Sequence, residues 1–475
     1  MVSDHILLFL DFLQKEMLLF ASLCFLIGAA DDLVFDGLWF FHRLKRKLFV
    51  YSRYQRATVE TLGDPAPDCR LAIFVPAWNE AAVIGAMLGR CLRQWRSSAY
   101  RIYVGCYPND PATVAAVAAA ASGKDNIRLV ICKQNGPTTK ADCLNHLWSA
   151  LCQDEIEEKA KYRAVVLHDA EDLVHPQSLR LLEHLIGRAA LVQLPVIPRR
   201  ATGSRWVAGH YGDEFAELHG KQMVMREALG ASIPSAGVGC AFARDALLKL
   251  SARTNGKPFD AGSMTEDYEL GLNLTAGESR GIFARMRDRH GQLVATQEFF
   301  PDRLEDAIRQ KSRWIAGISL SGWDRLGWQN DWRENWMRLR DRKAGMAAIA
   351  LAIAYVAAIL TGMLLLSELF GVYRLQPMSE LLKILLVVNA GSLIWRLALK
   401  SSFVFALYGL REALLSIPRT IVANLINILA AWRAIRHYMD QLAGRPVNWE
   451  KTRHFYPDAA HVQQLRPNLS AGEGN

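Results

Sequence analysis

Three acidic side chains follow a short apolar run in the segment "VVLHDAEDLVHP", residues 165–176. Asp169 and Glu171 are two positions apart, and hard carboxylate oxygens in such a loop suit Mg²⁺ or Mn²⁺ bound together with phosphates. Asp172 is either a further ligand or the cap of the next helix. Because crowded carboxylates repel one another unless a cation or solvent relieves them, the segment predicts a divalent-cation site. A surface loop with local caps is the alternative.

A second acidic cluster is "MTEDYE", residues 264–269. Asp267 could act as a general base that deprotonates an attacking hydroxyl group, with Glu266 beside it. The alternative is an ordinary helix N-terminus, with Thr265 as cap and acidic residues in the first turn. Taken alone, the segment favours this alternative.

The segment "RQKSRW", residues 309–314, places Gln310, Arg313 and Trp314 at i, i+3 and i+4, on one face of a helix. Arginine can hold a diphosphate leaving group through two hydrogen bonds, and tryptophan offers a flat face to a sugar ring. Membrane-interface anchoring of Trp314 is an equally good interpretation of the spacing.

Three further residues carry weaker signals. Asp110 could reach the base of a bound nucleotide, or it could cap the helix that begins with Pro111. Glu80 is ambiguous in the same way. Lys140 could face a phosphate, although a single lysine, taken alone, favours a solvated helix face.

These residues sit at comparable places in an alternating pattern of strands and helices. Strands are predicted at 71–75, 102–106, 128–132, 164–167 and 190–194, and helices at 81–95, 111–122 and 139–152. Continuous apolar strands separated by helices predict an α/β fold with a mostly parallel sheet. Polar motifs follow the first four strands, and ligands bind beyond the carboxyl ends of strands in such sheets. The motifs are therefore expected to meet at one edge.

Composition indicates a membrane protein. The 475 residues are 51% hydrophobic with a net charge of +9, and basic clusters such as "HRLKRK" (42–47) flank the apolar runs. That is the positive-inside pattern, and no nucleic-acid recognition motif accompanies the charge. The eight cysteines form no CxxC pair, as expected of a cytosolic domain. The N-terminus lacks a basic region, which argues against a cleaved signal peptide.

Three spans are predicted. Residues 344–367 are 24 residues without a charge, enough to cross a bilayer as a helix, and residues from about 381 to 400 form a second span. The first span is a helix from about residue 8 that bends at Asp31 and Asp32; the alternative is that these acids lie in the membrane beside a partner. The predicted division is 1–50 N-terminal transmembrane helix with a basic interfacial segment, 51–342 cytosolic domain, 343–400 two transmembrane helices, 401–440 amphipathic interfacial helices, and 441–475 polar cytosolic tail.

Together the motifs resemble those of membrane-bound family 2 glycosyltransferases of the GT-A fold. "VPAWNE" resembles the first-strand signature, "HDAED" the metal motif, "MTEDYE" the TED motif and "QKSRW" the QxxRW motif. "YPNDPAT" (107–113), the segment 209–230 and the segment 416–438 further resemble the bacteriophage adsorption protein B family of bacterial inner-membrane enzymes.

The resemblance implies an inverting, metal-dependent hexosyl- or N-acetylhexosaminyl-transferase. Asp169 and Glu171 would bind Mg²⁺ or Mn²⁺, and Asp267, with Glu266, would provide the base. The nucleotide-sugar donor, expected to be UDP-linked, would contact Glu80, Asp110, Lys140 and Asp169, whereas Gln310, Arg313 and Trp314 would hold the diphosphate and the acceptor. "GVGCAFARDAL" (237–247) resembles the segment that lines the acceptor, whose glycines permit close approach.

The acceptor is expected to be a growing surface polysaccharide or a lipid-linked glycan. Three spans are too few to enclose a polysaccharide channel in one protomer, so an outer-membrane export partner or oligomerisation would be needed. Longer relatives carry a domain that binds a cyclic dinucleotide, so that such a regulator is either absent here or supplied by another protein. A non-catalytic membrane scaffold with a degenerate transferase domain is the alternative from another class.

Overall fold

The apolar runs of the sequence become the strands of a seven-stranded sheet. The computed structural model describes residues 2–63, 69–95, 99–199, 203–277 and 279–444. The strands are β1 (Leu71–Pro76), β2 (Tyr100–Cys106), β3 (Ile127–Ile131), β4 (Ala164–Leu167), β5 (Leu191–Gln193), β6 (Val196–Arg199), β7 (Cys240–Ala243), β8 (Gly281–Phe283) and β9 (Thr296–Phe299). The sheet order is β3-β2-β1-β4-β7-β5-β8, with only β7 antiparallel to its neighbours. The predicted mostly parallel α/β sheet is confirmed.

The helices cover both faces of this sheet or extend away from it. They are α1 (Val2–Phe49), α2 (Ile84–Gln94), α3 (Pro111–Ala121), α4 (Lys140–Glu157), α5 (Ser178–Ile186), α6 (Val207–Glu217), α7 (Met223–Ala228), α8 (Arg244–Arg253), α9 (Glu266–Thr275), α10 (Leu304–Trp314), α11 (Gly322–Leu326), α12 (Trp332–Arg342), α13 (Ala344–Leu369), α14 (Glu380–Tyr408) and α15 (Leu410–Leu442). Two π-helical segments, Leu218–Gln222 and Ile315–Ser321, continue α6 and α10.

Strand β1 shows why its run of apolar residues is continuous. Ile73 and Val75 point into a core with Met87 of α2, whereas Phe74 points into a second core with Leu147 of α4. All five residues from 71 to 75 are buried, because helices cover both faces of the sheet. The carboxyl ends of the parallel strands are therefore left as the open edge.

A small second sheet brings a distant segment to that edge. Strands β6 and β9 pair in parallel, and Gln297 of β9 also pairs with Leu173, just beyond the acidic loop after β4. The backbone N–H of Leu173 donates to the carbonyl of Gln297 at 2.8 Å. Residue 298 is thereby fixed next to that loop.

Within the described part of the chain, four helices are long and apolar enough to cross a membrane: α1, α13, α14 and α15. Helix α1 runs without interruption through Asp31 and Asp32, so the predicted bend does not divide it into two helices. Their charges are compensated from outside the helix, where Lys343 lies 2.8 Å from Asp31 and Arg340 lies 3.0 Å from Asp32. The alternative interpretation of the sequence gave the two acids a partner, and the structure pairs them with these two basic side chains.

The segment after residue 400 differs from its predicted form. Helix α14 continues to Tyr408, and Gly409, with φ of +81°, separates it from α15, a single helix with Pro418 in its interior. Helix α15 packs along α6 and α10, where Ile426 is fully buried. The interfacial location predicted for residues 401–440 stays a prediction. The predicted polar tail lies, from residue 445 onwards, outside the described residues.

Candidate active site

A cavity of about 130 Å³ opens at the carboxyl edge of the sheet. It is lined by side chains from each of the segments singled out in the sequence: Pro76, Trp78, Glu80, Lys140, Asp169, Ala170, Glu171, Val196, Phe215, Ala236, Asp267, Glu298, Phe300, Gln310, Arg313 and Trp314. Of the predicted site residues, only Asp110 and Glu266 are absent from this lining. Segments far apart in sequence therefore converge on one space.

Three carboxylates on one wall could hold a metal ion. Oxygen atoms of Asp169, Glu171 and Glu298 all lie within 4.8 Å of one another. The pKa of Glu298 is raised well above its ordinary value by burial and then by the charges of Asp172, Asp169 and Glu171. A divalent cation would relieve this repulsion, and three carboxylate oxygens are ligands that Mg²⁺ and Mn²⁺ accept. The residues present fit such an ion.

Asp172 does not belong to this group. It is fully buried, and its Oδ2 lies 2.6 Å from Nδ1 of His168 and accepts from the backbone N–H of Asp169 at 3.2 Å. Burial lowers the pKa of His168 to about 4, so the imidazole is neutral and donates to the carboxylate. Asp172 therefore shapes the loop that presents Asp169.

Lys140 faces the acidic wall. It is the first residue of α4, whose cap is Thr139, a hydroxyl that accepts from the N–H of Asp142 at 3.1 Å. The Nζ atom lies 2.5 Å from Oδ1 of Asp169. Burial opposes the charged ammonium group, but Asp169, Glu266 and Asp267 outweigh it and raise the pKa of Lys140. The lysine remains charged and is not on a solvated helix face.

The second acidic cluster does begin a helix, and one of its acids also reaches the cavity. Helix α9 starts at Glu266, with no cap from the Thr265 side chain. Burial raises the pKa of Asp267, whereas Lys140 and Arg313 lower it. Burial and the charge of Asp267 raise the pKa of Glu266 to about 7. The segment "MTEDYE" therefore forms the start of a helix and also places Asp267 in the cavity.

A glycine makes room for Asp267. Gly237 has φ of +75°, and a Cβ there would lie 2.4 Å from Oδ2 of Asp267. The backbone of the segment before β7 therefore packs directly against this carboxylate. This is the close approach expected for the glycines of 237–247.

Helix α10 presents Gln310, Arg313 and Trp314 to the cavity. The ring of Trp314 lies 6.3 Å from that of Phe215 and 6.4 Å from that of Phe300. Trp314 thus belongs to the aromatic wall of the cavity and is not an exposed membrane anchor. The π-helical segment follows at once, and a Cβ on Gly317 would lie 2.5 Å from Oγ1 of Thr265. The π-helical segment therefore packs tightly against Thr265, the residue that precedes α9.

The opposite end of the cavity is formed by the loop after β1. Glu80 and Trp78 line it, and the Trp78 ring lies edge-on to Tyr107 at 5.2 Å. Asp110 accepts from the N–H of Asn79 at 2.6 Å and caps α3 by accepting from the N–H of Thr113 at 3.3 Å. The capping interpretation of Asp110 is confirmed, and a contact of this carboxylate with a donor stays a prediction.

Residues 67–317 match the family model described as glycosyltransferase like family 2. The chain belongs to this family. The matched range contains the whole sheet and every side chain of the cavity, so the convergent wall of acids lies in the catalytic-type domain of a family 2 glycosyltransferase.

Relatives agree with this placement. Bacteriophage adsorption protein B of Escherichia coli strain K12 is 37% identical to this family 2 glycosyltransferase over 463 residues, which is 93% of the chain. Bacteriophage N4 adsorption protein B of Escherichia coli O157:H7 matches to the same extent. The chain spans 62% of the length of each of these relatives.

A solved structure supports the fold. The mannosyltransferase PcManGT from Pyrobaculum calidifontis, in complex with GDP-Man and Mn²⁺, superposes with a TM-score of 0.54 at 17% identity. The match covers 89% of this chain and 99% of that one. The family 2 glycosyltransferase described here therefore has the GT-A type of fold that was expected.

Sequence reasoning missed three kinds of residue in this glycosyltransferase. Glu298 lies in a short strand with no motif around it. Trp78 stands inside the quoted motif "VPAWNE", so its position was a usable signal. The aromatic wall was not predicted, because Phe215 on α6 and Phe300 after β9 come from segments far apart in sequence. Phe215 lies in the segment 209–230, but the family resemblance of that segment gave this residue no role.

Proposed function

We propose that the protein is an inverting, metal-dependent glycosyltransferase that moves a hexosyl or N-acetylhexosaminyl group from a nucleotide diphosphate sugar to a hydroxyl group. The acceptor is a growing surface polysaccharide or a lipid-linked glycan. One observation carries the proposal: Asp169, Asp267 and Arg313, from three separate segments, line a single cavity. An acidic metal wall, a base and a cation are the parts that displacement of a diphosphate requires.

The donor would lie along the wall between the loop after β1 and the acidic loop after β4. Trp78 and Glu80 would contact the nucleoside, and Lys140 would contact the diphosphate. Asp169, Glu171 and Glu298 would hold Mg²⁺ or Mn²⁺, which supplies positive charge against the diphosphate when it is bound. The charged state of Lys140 and the mutual proximity of the three carboxylates support this arrangement.

The acceptor would enter on the side of the aromatic wall, where Trp314 offers a face to its sugar ring. Asp267 takes the proton of the attacking hydroxyl as the new bond from oxygen to the anomeric carbon forms. The bond from that carbon to the diphosphate oxygen breaks on the opposite face, its electrons leave with the diphosphate, and Arg313 stabilises the departing charge. Attack opposite the leaving group inverts the anomeric configuration.

We also propose that the protein is a multi-pass protein of the bacterial inner membrane with its catalytic domain in the cytosol. Four candidate spans and the basic clusters beside them support this location. An outer-membrane export partner and regulation by a cyclic dinucleotide remain expectations from the family resemblance.

The test uses the full chain in lipid nanodiscs. A panel of UDP- and GDP-sugars is supplied with membrane lipid extract, with and without Mn²⁺ or Mg²⁺, while diphosphate release and label transfer are measured. Asp267→Asn should abolish transfer but leave metal-dependent donor binding, and Asp245→Asn, at an exposed carboxylate on α8, should change neither. NMR of the product reads the anomeric configuration.

The outcomes separate the alternatives. No transfer with any donor, together with full biological activity of Asp267→Asn in cells, would mean that the protein is a scaffold. A product with retained configuration would refute the inverting step.

A further inference from the structure

Five arginine side chains from three separate segments form a patch that the proposed reaction does not use. Arg43 and Arg46 lie near the end of α1, Arg56 lies in the following loop, and Arg285 and Arg287 follow β8. All five side chains are exposed to solvent. We call these five residues the arginine patch.

Backbone and ring contacts hold the patch together. The N–H of Val59 donates to the carbonyl of Arg287 at 3.1 Å, which fastens the loop after α1 to the segment after β8. The ring of Tyr51 lies under two guanidinium groups, with Arg46 at 5.1 Å and Arg56 at 4.4 Å from its centroid. Such cation–π contacts orient the guanidinium groups without neutralising them.

Among the described residues the patch has few acidic neighbours: the charge of Arg46 acts on the carboxylate of Glu227. No carboxylate in the described part of the chain forms an ion pair with Arg43, Arg56 or Arg285. Arg285 stays exposed to solvent, but neighbouring atoms displace part of the water around its guanidinium group; this partial desolvation lowers the pKa of Arg285, and the charges of Arg287, Arg43 and Arg56 lower it further. Like charges gathered on a folded surface raise its energy unless an anion from outside binds there.

Apolar side chains beside the patch indicate where that anion comes from. On the same turns of α1, Phe41 is 66% and Leu44 is 54% exposed. Arg43 lies over the buried ring of Trp39 at 4.9 Å from its centroid. Exposed apolar side chains next to basic ones are typical of the boundary between acyl chains and headgroups. A soluble anion would need only the basic part.

We propose that the arginine patch binds the headgroups of anionic phospholipids in the cytosolic leaflet and so seats the catalytic domain on the membrane. Arg43 and Arg46 lie where α1 leaves the bilayer, and Arg56, Arg285 and Arg287 extend the same surface onto the catalytic domain. Lipid binding at this surface does not depend on the transferase reaction.

The test measures lipid binding to the full chain. The purified protein in a neutral detergent is titrated with phosphatidylglycerol or phosphatidylcholine and followed by native mass spectrometry. The variant Arg43→Gln/Arg56→Gln/Arg285→Gln removes three charges of the patch. The matched control, Lys249→Gln/Arg253→Gln/Lys257→Gln, removes three charges at exposed positions on and after α8.

Phosphatidylglycerol is expected to bind more tightly than phosphatidylcholine, and the patch variant should lose at least about tenfold in affinity, since each basic residue near an anionic surface contributes severalfold. The control variant should keep the affinity of the unchanged protein. Thermal unfolding of both variants verifies that they are folded.

Three results would overturn the proposal. One is equal binding of the two lipids, and another is an equal loss in the patch and control variants. The third is binding of inorganic phosphate or soluble glycerophosphoglycerol at the patch with no preference for the anionic lipid, which would make it a site for soluble anions.

Discussion

The ammonium group of Lys140 lies 2.5 Å from Oδ1 of Asp169, a member of the three-carboxylate group. The same positive charge lowers the pKa of Asp267 and of Glu298. One lysine at the start of α4 therefore compensates both the predicted metal wall and the predicted base. The charge of Lys140 therefore acts on the protonation of several carboxylates of the site at once.

Lys140→Gln should consequently weaken catalysis in a pH-dependent way. Loss of a charged contact to the diphosphate is expected to lower kcat/KM on the order of a hundredfold at pH 8. Because Lys140 lowers the pKa of Asp267, its removal raises that pKa, and the base is protonated at a higher pH. The deficit should therefore be larger at pH 6 than at pH 8. The measurement is kcat/KM against pH, with the exposed Lys124→Gln as control; a deficit independent of pH would contradict the electrostatic coupling.

Glu298→Gln should weaken metal binding while the fold is preserved. The substitution keeps the shape of the side chain but removes one of three carboxylates that lie within 4.8 Å of one another. We expect Mn²⁺ affinity to fall about tenfold or more, since even side chains that only support metal ligands contribute that much. Titration calorimetry on the full chain measures it. Glu305→Gln, at an exposed carboxylate in the first turn of α10, serves as control. Equal Mn²⁺ affinity in both variants would remove Glu298 from the site.

The sheet was predictable because local patterns encode it. The predicted strands at 71–75 and 164–167 are β1 and β4; β1 extends one residue further at its C-terminal end, and β4 has the predicted bounds. A strand buried on both faces has to be apolar throughout, and a polar residue can follow only at its end. For that reason the residues at the strand ends, such as Asp169 and Glu80, were also correctly expected at one edge.

Features that depend on long-range contacts were not predictable in the same way. Glu298 reaches the acidic loop only because β9 pairs with β6 and with Leu173. Asp31 and Asp32 of α1 form ion pairs with Arg340 and Lys343, which lie about three hundred residues further along the chain. A local pattern contains neither the identity nor the distance of such partners.

Gly237→Ala should impair the reaction through Asp267. The new methyl group would lie 2.4 Å from Oδ2 of Asp267, so that the carboxylate has to move. Gly230→Ala is a matched control, because Gly230 has a similar φ of +74° but open space around its Cβ position. Both variants should lose roughly 1–2 kcal/mol of stability from the left-handed backbone conformation. Only Gly237→Ala should also lower kcat, by about tenfold or more, as transferase assays on both variants would reveal. Equal kcat values would contradict contact between this glycine and a working base.

The attachment of the catalytic domain to the membrane helices gives the last prediction. Lys221, in the π-helical segment after α6, is fully buried, and its Nζ lies 2.5 Å from Asp36 of α1 and 2.6 Å from Glu217. Lys221→Met leaves Asp36 as a buried charge without its ammonium partner, while the indole N–H of Trp395 still donates to it at 2.9 Å. Breaking such a pair costs about 3–5 kcal/mol.

Denaturation of the full chain in micelles should therefore reveal a large loss of stability in Lys221→Met. Adding Asp36→Asn to this variant should restore part of the loss, because the uncompensated charge disappears along with its partner. Lys383→Met removes the lysine of an exposed pair with Glu380 on α14 and should change stability by less than about 1 kcal/mol. If Lys221→Met were as stable as Lys383→Met, the buried pair would not hold α1 against the catalytic domain, and the two parts would have to be joined by apolar packing alone.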